Sequence, residues 1–260
     1  MGLTFLLLTT QAQEVERIPL ETGALFIASD TKRSGPEIPL IIHLHGSEEV
    51  VKRNILQVKP DAIWVNITLP GLSSIYGKHF REPRAFPTLL QEVKEALELR
   101  FPAKNVEIRP VTLVSFSAGF GGVRELLKQP EAIAHISSVI MADSLYAGFV
   151  GNTAHRELNA DHMKPFVQFA ELAAKGQKQM LLTHSQLFTP GYASTAETAA
   201  YLIQSLDGQR LAKKTLRDQK LTELSRFQRG QFTVIEYDGD TGEDHLNHLR
   251  FIRLFLDEVL

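Results

Sequence analysis

Apolar runs of strand length alternate with helical runs along most of the chain, a pattern that predicts a parallel sheet covered by helices. Residues 16–29, with Ala24-Leu25-Phe26-Ile27-Ala28, read as early strands, antiparallel and at a sheet edge. Pro39 to Gly46 is a nearly continuous apolar run, as expected of a central strand buried on both faces. Residues 48–57 suit a short helix, and 61–68, ended by Pro70-Gly71, suit another strand. The segment 71–87 mixes Tyr76, His79, Phe80 and Phe86 with Gly77, Pro83 and Pro87. It reads as too irregular for a regular element and as pocket lining. Residues 88–101 place Leu89, Leu90, Val93, Leu97 and Phe101 at three- and four-residue steps, the mark of an amphipathic helix.

Further along, Val111-Thr112-Leu113-Val114 has strand character and runs into the small-residue turn Ser115-Phe116-Ser117-Ala118-Gly119. A helical run, Val123 to Lys128, follows. Ile136 to Ala142 is another buried strand with Asp143 at its carboxyl end, and 144–160 is an aperiodic excursion. Residues 161–174 read as a helix ended by Gly176, and 179–183 as a strand leading to His184-Ser185. Ser194 and Glu197 form a capping box for a helix over 195–205. The charged stretch 210–229 reads as a solvated helix or loop. Phe232 to Tyr237 is the last strand; Gly239, Gly242, Asp244 and His245 sit in its loop, and a final helix buries Leu246, Leu249, Ile252, Leu256 and Val259.

Composition narrows the classes. At 260 residues, with 43% hydrophobic and 22% charged residues, the chain suits one sizeable α/β domain. The formal charge of -2 and the lack of a dense Lys/Arg run argue against nucleic acid as a partner. With no cysteine there is no disulfide, thiolate metal site or cysteine nucleophile. Leu3 to Thr10 followed by Gln11-Ala12-Gln13 looks like the end of a signal peptide without its positive n-region. Two readings stay open for residues 1–15: a frayed or strand-forming terminus, or a remnant of a signal whose start lies upstream. Export follows from the second and a cytoplasmic place from the first. No apolar run reaches the ~20 residues of a bilayer span, and residues 16–260 read as a single domain with its oligomeric state open.

The chemistry centres on the turn after residue 114. A strand, a sharp turn and a helix with a serine at the apex hold a nucleophile above an α/β sheet, usually as Gly-x-Ser-x-Gly. Tight packing of the helix on its strand requires small residues two before and two after that serine. Ser115 and Gly119 satisfy this around Ser117, whereas Leu113 is too bulky for Ser115 to be the apex. The alternative is a small-residue turn without chemistry. The N–H of Ala118, at the helix N-terminus, is a candidate oxyanion donor.

The sequence resembles the α/β-hydrolase family from about residue 20 onward. The matching features are His45-Gly46-Ser47 after an early strand, the elbow at 115–119, and a histidine after the last strand. The fold implied is a three-layer α/β/α sandwich with a mostly parallel sheet, and the chain order implied is Ser…Asp/Glu…His. Ser115 departs from the usual glycine. The resemblance makes His245, taken as immediately preceding the last helix, the general base, with His248 the alternative. Against both stands a surface cluster at a helix start, where Asp244 suits the dipole. The acid most often follows the strand that here ends in Thr183-His184-Ser185, where no carboxylate stands. Asp143, one strand earlier, is the substitute, with helix capping as its competing role and Asp161, Asp240 and Asp244 in reserve. The resemblance nominates Ser47 as the second oxyanion donor. His45, Tyr76, Tyr146, His162 and His184 are the candidate pocket residues.

The reading is thus a serine hydrolase acting on a small-molecule ester through an acyl-enzyme, with Ser117, His245 and Asp143, needing no cofactor or metal. Three alternatives stand beside it: an amidase or peptidase with the same triad, a non-catalytic binding protein of this fold, and a metal-dependent hydrolase built on the histidines.

Overall fold

The computed structural model describes residues 15–28, 31, 37–58, 63–101 and 106–260 of the chain; the signal-like stretch before residue 15 lies outside them. In chain order the elements are β1 (Val15–Pro19), β2 (Ala24–Ala28), β3 (Glu37–Leu44), α1 (Glu48–Val58), β4 (Ile63–Ile67), α2 (Ser73–Arg81) and α3 (Ala85–Arg100). There follow β5 (Glu107–Phe116), α4 (Phe120–Leu126), α5 (Pro130–His135), β6 (Ile136–Ala142), α6 (Ala160–Ala174), β7 (Gln179–His184) and α7 (Thr195–Ser205). The chain ends with β8 (Leu211–Asp218), β9 (Leu221–Arg229), β10 (Phe232–Tyr237), α8 (Gly242–Arg250) and α9 (Ile252–Leu256).

Among the described residues ten strands join one sheet in the order β1-β2-β4-β3-β5-β6-β7-β10-β9-β8. The six from β4 to β10 pair in parallel, while β1–β2 at one edge and β9–β8 at the other pair antiparallel. Parallel strands are covered on both faces, so alternate side chains feed two cores. Leu40, Ile42, Leu113, Val139 and Leu182 pack with Phe80, Leu89, Val93, Val123, Phe166 and Leu202 of α2, α3, α4, α6 and α7. Ile41, Trp64, Val114, Phe116 and Ile140 pack on the other face with Val51, Leu249, Ile252 and Phe255 of α1, α8 and α9. The expected three-layer sandwich is what the chain forms.

Three local expectations fail, each for a physical reason. The segment 71–87 holds two helical stretches, because Tyr76, Gly77 and Phe80 are buried on one side of α2 and tertiary packing overrides the glycine. The charged stretch 210–229 is a hairpin whose β9 strand buries Leu221, Glu223, Ser225 and Phe227 alternately. Glu223 is acceptable inside because Arg217 and Arg226 reach it at 2.8 and 2.7 Å. The last helix is two helices, α8 and α9, and Leu246 is exposed rather than buried. The Ser194–Glu197 capping box forms as expected.

Candidate active site

β5 delivers Ser117 at the carboxyl edge of the sheet, and the chain turns at once into α4. Ser117 has φ of 46°, the left-handed region that a non-glycine residue enters at a cost. Such a strained strand-to-helix turn projects its central side chain out of the sheet. The turn is closely packed: a Cβ on Gly119 would lie 2.4 Å from the Leu44 carbonyl oxygen and 2.7 Å from Ser115 Oγ. Ser115 itself is buried and exchanges a 2.6 Å hydrogen bond with Ser144. The Ser144 hydroxyl donates to the Ser117 carbonyl at 2.8 Å.

His245 enters from α8, where it lies within the first turn rather than ahead of the helix, its N–H donating to Thr241 at 3.1 Å. Its ring stacks on Phe116, centroid to centroid 4.6 Å, so the residue before Ser117 locates the imidazole beside the elbow. Its Nδ1 lies 2.8 Å from Asp143 Oδ2. An ionised carboxylate only accepts, so Nδ1 carries the proton and Nε2 is left as the basic nitrogen.

Asp143 stands at the end of β6, fully buried and also at positive φ, 44°. Besides His245 it accepts from the Ser185 N–H at 3.1 Å, the Ser185 hydroxyl at 2.6 Å and the Thr195 hydroxyl. Burial alone would raise its pKa. The neighbouring His248 and His245 imidazoles and the Ser185 hydroxyl outweigh that and hold the carboxyl well below the usual range. The strand that lacks a carboxylate at its end thus contributes Ser185, a donor to the carboxylate, instead.

Ser117, Ala118 and His245 line one cavity of about 510 Å³, with Leu72, Ser73, Phe120, Arg124, Tyr146, Gly148, His162, Leu187, Thr189 and Tyr192 among its other walls. Of the expected pocket residues, Tyr146 and His162 are there. His45, Tyr76 and His184 are not. Tyr76 is fully buried, accepting the Leu69 N–H at 2.9 Å and bonding His45 Nδ1 at 3.0 Å. His45 stacks behind Phe116, and burial followed by the His245 charge lowers its pKa. His184 is buried against Arg210 at 2.6 Å, with Nδ1 donating to the Ser185 carbonyl at 2.8 Å.

Ser47 is not among the residues that line this cavity either. It is exposed, and its carbonyl accepts the N–H groups of Val50 and Val51 at 3.0 Å as α1 begins. His248, the alternative base, is buried away from the cavity with Nδ1 2.8 Å from Thr183 Oγ1. Burial lowers its pKa to about 4. Asp244 is engaged in a capping box with Thr241, while Asp161 and Asp240 are exposed. Among the described residues no group of three or more His, Asp and Glu side chains is placed to hold a metal ion.

The walls that sequence reasoning missed come from two sources. Phe120 and Arg124 lie three and seven residues beyond Ser117, a helical spacing that would have found them. Leu72, Ser73, Leu187, Thr189 and Tyr192 arrive from the start of α2 and the loop after β7, and no local pattern marks them.

No family model and no curated protein matches this sequence. Solved structures that resemble it include an S-formylglutathione hydrolase from Staphylococcus aureus, at 12% identity over 96% of this chain and 98% of that one, with a TM-score of 0.49. A thermostable esterase from Pseudomonas putida is 13% identical over 95% of this chain and 80% of that one, with a TM-score of 0.45. A soluble variant of monoglyceride lipase from Saccharomyces cerevisiae is 12% identical over 96% of each chain, with a TM-score of 0.44. These are likenesses of shape at low identity; the chemistry of this chain has to come from its own side chains. With a mostly parallel sheet between two helical layers, a positive-φ serine at the β5–α4 turn, and Asp143 and His245 following it in order, the chain has the α/β-hydrolase fold.

Proposed function

We propose that this protein is a serine hydrolase that cleaves a carboxylic ester through an acyl-enzyme intermediate. The observation that carries this reading is the 2.8 Å bond from His245 Nδ1 to buried Asp143, with His245 lining the same cavity as the strained Ser117.

The steps follow from the protonation states. A serine hydroxyl is a weak nucleophile until a base takes its proton. His245 Nε2 accepts the Ser117 proton as Oγ attacks the ester carbonyl, and Asp143 stabilises the imidazolium that forms. The charge on the carbonyl oxygen falls to the Ala118 N–H at the head of α4, a donor type worth about 10²–10³ in rate. Leu72 and Ser73, at the start of α2, line the same cavity. Imidazolium then protonates the departing alcohol. A water activated by the regenerated His245 attacks the acyl-Ser117 ester, releasing the acid and restoring the serine.

The direct test is Ser117→Ala assayed on a short-chain p-nitrophenyl ester. A loss of more than about 10³-fold in kcat is expected, given the residual catalysis that such sites keep without their nucleophile. Turnover equal to the parent's would remove the proposal.

A further inference from the structure

The cavity that holds Ser117 and His245 also has Arg124 and His162 in its walls, close enough for the Arg124 charge to act on the His162 ring. The Arg124 side chain is only 18% exposed and lies over the Phe120 ring at 5.6 Å. Its nearest anion, Glu125, is 3.6 Å from Nε, and that same carboxylate is shared with Lys128 at 2.9 Å and Arg81 at 3.5 Å. Three cations around one buried carboxylate leave this wall with excess positive charge, and Arg124 is the one of the three that lines the cavity.

His162 supplies the second half. The Gly148 N–H donates to its Nδ1 at 3.0 Å, so Nδ1 is an acceptor and the neutral ring carries its proton on Nε2. Burial first, then the charges of Arg124 and Lys128, lower the His162 pKa against the opposing pull of Asp161 and Glu125. The ring therefore stays a neutral donor in the field of Arg124. Gly148 leaves the space it occupies: a Cβ there would lie 3.1 Å from His162 Cε1.

A guanidinium and a neutral N–H donor lining one cavity are groups that together recognise a carboxylate. We propose that Arg124 and His162 Nε2–H form an anion subsite, and that the preferred substrate is an ester bearing a second, free carboxylate. This rests on the ester-hydrolase reading above. The carboxylate is bound and not transformed; its task is to seat the neutral ester carbonyl at Ser117.

Matched pairs of esters test it on both sides of the scissile bond. Monomethyl glutarate against methyl pentanoate varies the acyl side, and 4-acetoxybenzoate against 4-methylphenyl acetate the alcohol side. The ratio of kcat/KM, anionic over neutral, is measured for the parent, Arg124→Gln and Arg124→Lys. In at least one pair the ratio should fall about tenfold in Arg124→Gln and less in Arg124→Lys, since the missing charge matters most. For the parent alone, which needs no variant to fold, raising NaCl from 0.05 to 0.5 M should lower the same ratio by screening. Ratios in both pairs that neither salt nor Arg124→Gln alters, with the neutral esters still hydrolysed, would overturn the anion subsite and leave the hydrolase reading standing. A parent that hydrolyses none of the four esters would overturn that reading and the subsite with it.

Discussion

Ser144 donates its hydroxyl to the backbone carbonyl of Ser117 at 2.8 Å, tying the end of β6 to the apex of the elbow. The single proton of Ser144 is thereby used, so the 2.6 Å contact with Ser115 has Ser115 as donor. The residue in place of the usual elbow glycine is therefore tied into this turn: Ser115 bonds Ser144, and Ser144 bonds Ser117. Ser144→Ala should leave buried Ser115 Oγ and the Ser117 carbonyl without that partner, costing about 1–3 kcal/mol. Urea unfolding measures the loss, and ester kcat should fall with it. Parent-like stability and kcat would mean that the elbow does not depend on this chain of hydroxyls.

Asp143→Asn addresses the orientation of the base. The carboxylate accepts from four donors: the Ser185 N–H, the Ser185 and Thr195 hydroxyls and His245 Nδ1. An amide cannot accept at all four, and one turned with its NH₂ toward His245 selects the wrong tautomer. The expected loss in kcat is about 10³–10⁴-fold, the size seen for this change in a Ser-His-Asp protease. The mutant's kcat on a short ester, with the fold checked by circular dichroism, decides the point; a value within about tenfold of the parent would take Asp143 out of the mechanism.

Buried histidines set the acid limit of stability. In His43, His184 and His248 burial lowers the pKa to about 4, opposed by Asn66 in the first case and by the Asp143 charge in the last, and reinforced by Arg210 at His184. Their folded pKa values are below the unfolded value, so the unfolded chain binds more protons between about pH 6.5 and 4. Stability is therefore fully present above that window and falls as pH drops through it, by on the order of 3 kcal/mol per ring. Asp143, also depressed, adds a further loss below about pH 4. Unfolding free energies from urea titrations at pH 7.5, 6 and 5 should decline in order, and His248→Gln should flatten the decline. A free energy unchanged from pH 7.5 to 5 would refute this.

Much of the fold is legible in the sequence because the parallel strands are apolar on both faces and so stand out as runs. The elbow is legible because only small residues fit around Ser117, and Asp143 because it ends a strand. Failures occur where tertiary context outweighs local pattern. Glu223 inside β9 masks a period-two alternation, since its burial depends on Arg217 and Arg226 and not on hydrophobicity. Gly77 hides α2, because a glycine lowers the local helical signal while packing of Tyr76 and Phe80 holds the helix. Tyr76 and His184 have the right chemistry near the right strand ends, yet neither lines the cavity: each is satisfied by a partner, His45 and Arg210, distant in the sequence. Exposure cannot be read from residue type.

The central claim is that Ser117 is an activated nucleophile, and a fluorophosphonate tests it whatever the natural substrate is. Folded protein should take up one equivalent, with peptide mass spectrometry placing the adduct on Ser117, and Asp143→Asn should slow the labelling. No adduct on the folded protein, or an adduct on a different serine such as Ser73, would contradict the account.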